Sequence, residues 1–250
     1  MNKVVMVIAG SDSDGAAGLQ GDIKTLAAFR IYSTCVATAV TAQNTLGVQA
    51  VFPVPASVVG AQIESIASDI PPHAVKIGML ATAENGEITA MLVKALKLPN
   101  VVVDPILTAS MGGELLEEKA IEPLKKALFP CAMVVTPNLA EASRLTGIDV
   151  HDTRTMQDAA KAIFDMGALN VVVKGGHLEG RPMDILYDGS KFSVYDANRL
   201  TFRNTHGVGD AFSSAIAARL AQGERMEIAI DTAKKYIAKA MNHPFPIGRG

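Results

Sequence analysis

Short runs of aliphatic and β-branched residues recur along this 250-residue chain, separated by alanine-rich stretches with helical spacing. That alternation narrows the choice of fold more than any other feature. The runs fall at residues 3–9, 32–41, 74–77, 101–103, 131–135 and 170–174, and helical spacing appears at 56–68, 84–96, 155–166, 211–221 and 226–241. Val101-Val102-Val103 is apolar at every position, not every second one, which suits a strand buried on both faces. Such strands alternating with helices predict an α/β fold of three αβα layers around a mostly parallel central sheet. One segment departs from the pattern. Residues 183–187 and 192–195 flank Asp188-Gly189-Ser190-Lys191, turn chemistry that predicts an antiparallel edge hairpin. No repeat, low-complexity tract or composition break interrupts the chain, so one domain is expected over residues 1–250.

Composition removes several classes of function. Hydrophobic residues make up 49% and charged residues 19%, enough for a large core and too apolar for general disorder. Lys and Arg number 23 against 25 Asp and Glu, a formal net charge of -2 that gives no bulk attraction to nucleic acid or to an anionic membrane. The two cysteines, Cys35 and Cys131, exclude a disulfide scaffold and a cysteine-rich zinc site. The five histidines (73, 151, 177, 206 and 243) show no metal-ligand spacing. The first apolar run, residues 4–9, is too short for a signal-peptide core or a membrane span, so a cytoplasmic protein is expected.

The chemistry gathers where strands end. The first strand runs into Ala9-Gly10-Ser11-Asp12-Ser13-Asp14-Gly15-Ala16-Ala17-Gly18, where ligands of open α/β sheets usually sit. This is not a P-loop, because Ala16-Ala17 stand where Lys and Ser/Thr are required, and the glycine spacing is wrong for a dinucleotide fingerprint. Asp12 and Asp14 mimic the start of a calcium loop without its later ligands. In Thr136-Pro137-Asn138-Leu139-Ala140-Glu141, Asn138 can cap a helix while Glu141 reaches back to it. The same Glu141 can serve a hydrated Mg²⁺, which takes few carboxylates and keeps its waters. On that segment alone the cap is the simpler reading. Gly207 and Gly209, in Thr205-His206-Gly207-Val208-Gly209-Asp210, free backbone N–H groups for an anion at a helix start. Asp210 there either complements the helix dipole or takes a proton from an attacking hydroxyl. Asp104 ends a further strand, a carboxylate at the carboxyl edge of the sheet for which an ordinary strand-end turn is the simpler reading; Lys174 ends another, either beside phosphates or as a solvated strand end.

Taken in order, these segments together with Thr41-Ala42-Gln43-Asn44-Thr45 and Lys76-Ile77-Gly78-Met79-Leu80 resemble the hydroxymethylpyrimidine/phosphomethylpyrimidine kinases of thiamine biosynthesis, a family of the ribokinase-like superfamily. The resemblance covers residues 4–241. It implies a ribokinase-like fold and a homodimeric, Mg²⁺/ATP-dependent phosphotransferase. Its substrates would be 4-amino-5-hydroxymethyl-2-methylpyrimidine and then the monophosphate. By the same resemblance the pyrimidine rests against Gly10, Asp22, Gln43 and Met79. Asp104, Asn138, Lys174 and Thr205 serve the nucleotide, and Glu141 with Asp104 serves the metal. Gly207, Val208 and Gly209 form the anion hole beside Asp210 as base. An amide at Gln43 offers both a donor and an acceptor to an aminopyrimidine edge. The alternatives are a pyridoxal-type kinase of the same superfamily and a non-catalytic pyrimidine-binding regulator on this fold.

Three departures from the family pattern stand out. Many members carry cysteine where this chain has Asp210, which implies a stronger base for the first phosphorylation. The loop reads Ser13-Asp14-Gly15-Ala16-Ala17-Gly18, with an extra acid and one glycine fewer than usual. The chain stops at Ile247-Gly248-Arg249-Gly250, where the family often continues through a glycine/histidine-rich tail, so a more open nucleotide side is expected. Two segments, the 104–113 loop and the hairpin near 180–190, are expected to close over the site, and the strand at 192–195 to offer a dimer edge.

Overall fold

The computed structural model describes residues 3–107, 118–176, 178, 182–196, 206–242 and 247–249. Among the described residues nine strands form one sheet: β1 (Val4–Ser11), β2 (Tyr32–Asn44), β3 (Gly47–Pro53), β4 (Ala74–Ile77), β5 (Val101–Val103), β6 (Val134–Val135), β7 (Val171–Gly175), β8 (Met183–Tyr187) and β9 (Phe192–Asp196). The helices are α1 (Gly18–Ala28), α2 (Ala56–Asp69), α3 (Ala83–Ala95), α4 (Glu118–Leu128), α5 (Leu139–Thr146), α6 (Thr153–Asp165), α7 (Val208–Ala221) and α8 (Met226–Met241). The sheet order is β3-β2-β1-β4-β5-β6-β7-β8-β9. Pairing is parallel from β2 through β7, and antiparallel for β3 at one end and β8–β9 at the other.

The core lies on both faces of the sheet, and single strands show why. Met6 and Ile8 of β1 join one apolar cluster with Val101, Val103, Val171 and Val173, packed under α2 to α6. Val5, Val7, Val102 and Val172, the residues between them, join a second cluster under α1, α7 and α8. Side chains alternate across a strand, so a run apolar at every position must be covered twice. The expected three layers and the edge hairpin are therefore present. Helix α7 is buried on nearly all sides, which explains its small residues Ala211, Ala215, Ala217, Ala218 and Ala221.

Two elements escape the sequence pattern. Strand β3 pairs only with β2 and leaves Val51 and Phe52 exposed, so no burial period marks it. Helix α4 carries Pro123 inside it, a residue that reads as a breaker. The strand expected at 131–135 shrinks to Val134–Val135, because Phe129–Cys131 forms a 3₁₀ turn.

The strand order reverses beside β1, with β2 on one side and β4 on the other. In open α/β sheets ligands bind outside the carboxyl ends of the strands at such a switch point. Here those ends are the glycine loop after β1 and Gly78-Met79 after β4.

Candidate active site

The glycine loop is held by its own aspartate. Asp12 is 4% exposed. Its Oδ1 accepts from Asp14 N (2.9 Å), and its Oδ2 accepts from Ala17 N (2.9 Å). Asp12 N in turn donates to Gln20 Oε1 at 2.8 Å. Of the acidic pair that resembled a calcium loop, Asp12 thus organises backbone N–H groups, that of Asp14 among them. His206 Nε2 lies 3.1 Å from Asp12 Oδ2 and 2.9 Å from Gln43 Nε2, which ties the loop to the end of β2. The bond to Asp12 outweighs burial and raises the His206 imidazole above its ordinary value. Burial works against the Asp12 charge, but His206 and the two backbone donors win and lower that carboxyl.

Gly10 and Met79 lie side by side: a Cβ at position 10 would lie 3.0 Å from Met79 Sδ. Thr38 Oγ1 donates to Met79 O at 2.6 Å and anchors that turn. Gln43, Gly10 and Met79 therefore surround one face of the switch point.

On the neighbouring side, α7 begins at Val208 with Gly207 as its N-cap in a left-handed conformation (φ 79°). Asp210 occupies the first turn, where backbone N–H groups have no partner within the helix. Its Oδ1 accepts from Lys76 Nζ at 2.6 Å. Lys76 is fully buried in β4 and also donates to Asp22 Oδ2 at 2.8 Å. Asp22 Oδ1 accepts from Ser214 Oγ at 2.7 Å. Asp22 has no exposed surface, and both its oxygens serve the buried network. Burial pushes the Asp22 carboxyl up to about 7, against the pull of Lys76 and with the help of Asp210. Burial alone would lower the Lys76 ammonium, but Asp210, Asp22 and Asp104 outweigh it and hold it well above the ordinary lysine value.

A second buried cluster follows β5. Asp104 Oδ1 accepts from Lys174 Nζ (2.8 Å) and Thr136 Oγ1 (2.9 Å), while Oδ2 accepts from Ser213 Oγ of α7 (3.1 Å). Lys174 stays charged, because Asp104 and Glu141 offset its burial. A Cβ at Gly209 would come within 3.3 Å of Lys174 Nζ, so this ammonium stands beside the first turn of α7. Asn138 and Glu141 do form the expected reciprocal cap of α5: Asn138 Oδ1 accepts from Glu141 N at 2.9 Å, and Glu141 Oε2 accepts from Asn138 N at 2.7 Å. Burial raises the Glu141 carboxyl to about 7, opposed by Lys174 and assisted by Asp104 and Asp210.

Four buried carboxylates (Asp22, Asp104, Glu141 and Asp210) thus stand against two ammonium groups, Lys76 paired with Asp22 and Asp210, and Lys174 with Asp104. Such a surplus of buried acid suits a hydrated divalent cation that takes few protein ligands. Among the described residues no group of three or more His, Cys, Asp or Glu side chains gathers as a ligand set.

Thr205, Gly112, Gly113 and His177 lie outside the described residues, as does most of the 104–113 loop. The residue that sequence reasoning missed is Lys76. Its signal was present: a lysine inside the apolar run Ala74-Val75-Lys76-Ile77, buried on both faces, must find carboxylates.

The sequence profile of the phosphomethylpyrimidine kinase family matches residues 12–250. The chain is 45% identical over 247 residues to the thiamine biosynthesis bifunctional protein ThiED of Geobacter sulfurreducens, with 98% of this chain aligned; it spans half (50%) of that protein's length. It is 41% identical over 254 residues to the hydroxymethylpyrimidine/phosphomethylpyrimidine kinase of Haemophilus influenzae, covering 99% of this chain and 94% of the relative. The crystal structure of an ADP complex of Bacillus subtilis pyridoxal kinase superposes with a TM-score of 0.91 at 36% identity, covering 99% of this chain and 95% of the other.

Proposed function

The chain belongs to the phosphomethylpyrimidine kinase family, and from that premise we propose that it transfers the γ-phosphoryl group of ATP to 4-amino-5-hydroxymethyl-2-methylpyrimidine and then to the resulting monophosphate. The observation that carries this reading is the convergence of Asp210, the Gly207–Gly209 turn, Lys174 and Glu141 at the carboxyl ends of the central strands. In the first step the substrate hydroxyl gives its proton to the Asp210 carboxylate. The freed oxygen forms a bond to the γ-phosphorus while the bond to the β-phosphate oxygen breaks and ADP leaves. In-line transfer of this kind rests on positioning and charge stabilisation more than on covalent chemistry. N–H groups of Gly207, Val208 and Gly209 face the transferring phosphoryl group, and the Lys174 ammonium reinforces them.

The pyrimidine ring rests between Gly10 and Met79, and the Gln43 amide reads its aminopyrimidine edge. Asn138, Asp104 and Lys174 serve the nucleotide. Glu141, with Asp104 nearby, holds Mg²⁺. When bound, that ion neutralises phosphate charge. In this reading residues 1–250 form one kinase domain that works in the cytoplasm as a homodimer. No helix among the described residues is long and apolar enough to cross a membrane.

A second reading, phosphorylation of a pyridoxal-type alcohol, is favoured by the likeness to the pyridoxal kinase structure. Shape alone separates two such rings by only ~1–3 kcal/mol. The test is incubation with Mg²⁺-ATP and the hydroxymethylpyrimidine, its monophosphate or pyridoxine, with products followed by mass. Two successive phosphoryl additions to the pyrimidine support the proposal. Turnover of pyridoxine alone moves the function to the second reading, and pyrimidine binding without turnover assigns a regulator.

A further inference from the structure

Between the base and the sheet lies one enclosed cation. Lys76 Nζ reaches Asp210 Oδ1 at 2.6 Å and Asp22 Oδ2 at 2.8 Å, and its side chain has no exposed surface. These three residues come from α7, β4 and α1, and the two carboxylates stand 54 and 134 positions from the lysine in sequence. A second tie doubles the first: Ser214 Oγ of α7 donates to the other oxygen of Asp22 at 2.7 Å. The ammonium also shapes its surroundings, since a Cβ at Gly78 would lie 2.9 Å from Lys76 Nζ. Glycine at 78 leaves room for the cation at the mouth of β4.

We infer that Lys76 is a positioning residue of the phosphotransfer step: it clamps one oxygen of the Asp210 carboxylate at the head of α7 and divides a single positive charge between Asp210 and Asp22. The inference rests on the proposed kinase reading and adds to it the group that makes Asp210 usable as a base. Two carboxylates enclosed without a cation repel each other, and one of them must take up a proton or move. With the ammonium between them, Asp210 is held in a fixed orientation at the anion-binding turn. Among the described residues the other charged groups around Asp210 are Asp104, Glu141, Lys174 and His206, on three further strand or helix ends and the turn before α7. None of these replaces the clamp, because Lys174 is already committed to Asp104 and His206 to Asp12.

The experiment compares wild type, Lys76→Met and Lys76→Met/Asp22→Asn in single-turnover assays of the first and second phosphorylations. The double variant removes the competing carboxylate along with the cation, so it keeps the test available where the single variant does not fold. Lys76→Met is expected to slow the first step on the order of 10²-fold, the scale of a lost general base, with KM for the alcohol within about threefold. The second step, whose acceptor is already an anion, falls by less than about tenfold. The double variant runs the first step about tenfold faster than Lys76→Met, because Asp210 no longer shares its enclosure with a second carboxylate. Equal losses in both steps, or no recovery in the double variant, overturn the inference.

A crystal structure of Lys76→Met without substrate decides the point independently of turnover. The Asp210 carboxylate is expected to leave the place where Lys76 Nζ meets it in wild type, and an unmoved carboxylate refutes the clamp. Should wild type phosphorylate no alcohol, the kinase reading fails, and this crystallographic result alone judges Lys76.

Discussion

Gly207→Ala tests how the two halves of the site are joined. Gly207 has φ 79°, a left-handed conformation that costs a side-chain-bearing residue roughly 1–2 kcal/mol. A Cβ there also runs into the carbonyl oxygen of Ala16, well inside van der Waals contact. The same carbonyl also packs closely on Gly21, where an added Cβ would lie 2.5 Å from it. The loop is pinned besides: Ala17 N donates to the Asp12 carboxylate and Gly21 N to Ala17 O, both at 2.9 Å. Overpacking of this kind adds ~1–3 kcal/mol, so the total loss is about 2–5 kcal/mol. Gly147→Ala is the control. It has nearly the same φ, 76°, at the end of α5, and an added Cβ meets nothing within 4 Å. Only the conformational part, roughly 1–2 kcal/mol, applies there. Urea denaturation of both variants, compared with wild type at unchanged slope, isolates the steric contribution. Should Gly207→Ala prove no more destabilising than Gly147→Ala, the packed contact between the glycine loop and α7 is not what holds these segments together.

Asp210→Asn is expected to slow the first phosphorylation far more than the second, because only the first has a hydroxyl proton to remove; equal losses in single-turnover assays of the two steps rule that asymmetry out. The Asp22 carboxyl has an ordinary value of 3.8 and is raised to about 7 in the fold, so the folded state binds more protons than the unfolded chain within that window. Its contribution is thus full at low pH and declines as pH rises from about 4 to about 7, and Asp22→Asn should gain stability relative to wild type over that range. The raised His206 contributes a slope of the same sign to both proteins and cancels in the comparison, while Lys76 titrates above the window. Denaturant midpoints at several pH values check this, and a difference that widens in favour of wild type contradicts it. Asp152 caps α6 at the exposed surface, accepting from Thr155 N at 2.7 Å. Asp152→Ala should cost about 1 kcal/mol in denaturation and leave turnover unchanged.

The sequence by itself determined what burial period and close-range pairing could record. Strands apolar at each position, as in Val101-Val102-Val103, required cover on both faces and hence three layers. Asn138 and Glu141 stand three residues apart, so their reciprocal cap was legible, as was the glycine-flanked Asp210 in a first helical turn. Strand β3 stayed hidden because its residues are largely exposed and carry no burial period, and α4 because Pro123 sits within it. What only the tertiary structure decided is who meets whom at the switch point. Asp12 finds His206 across 194 positions, and Lys76 finds Asp210 across 134. Those meetings follow from the sheet order, which brings the ends of β1 and β4 under the head of α7. Periodicity records whether a residue is buried; which charge a buried lysine answers is set by the strands and helices that surround it.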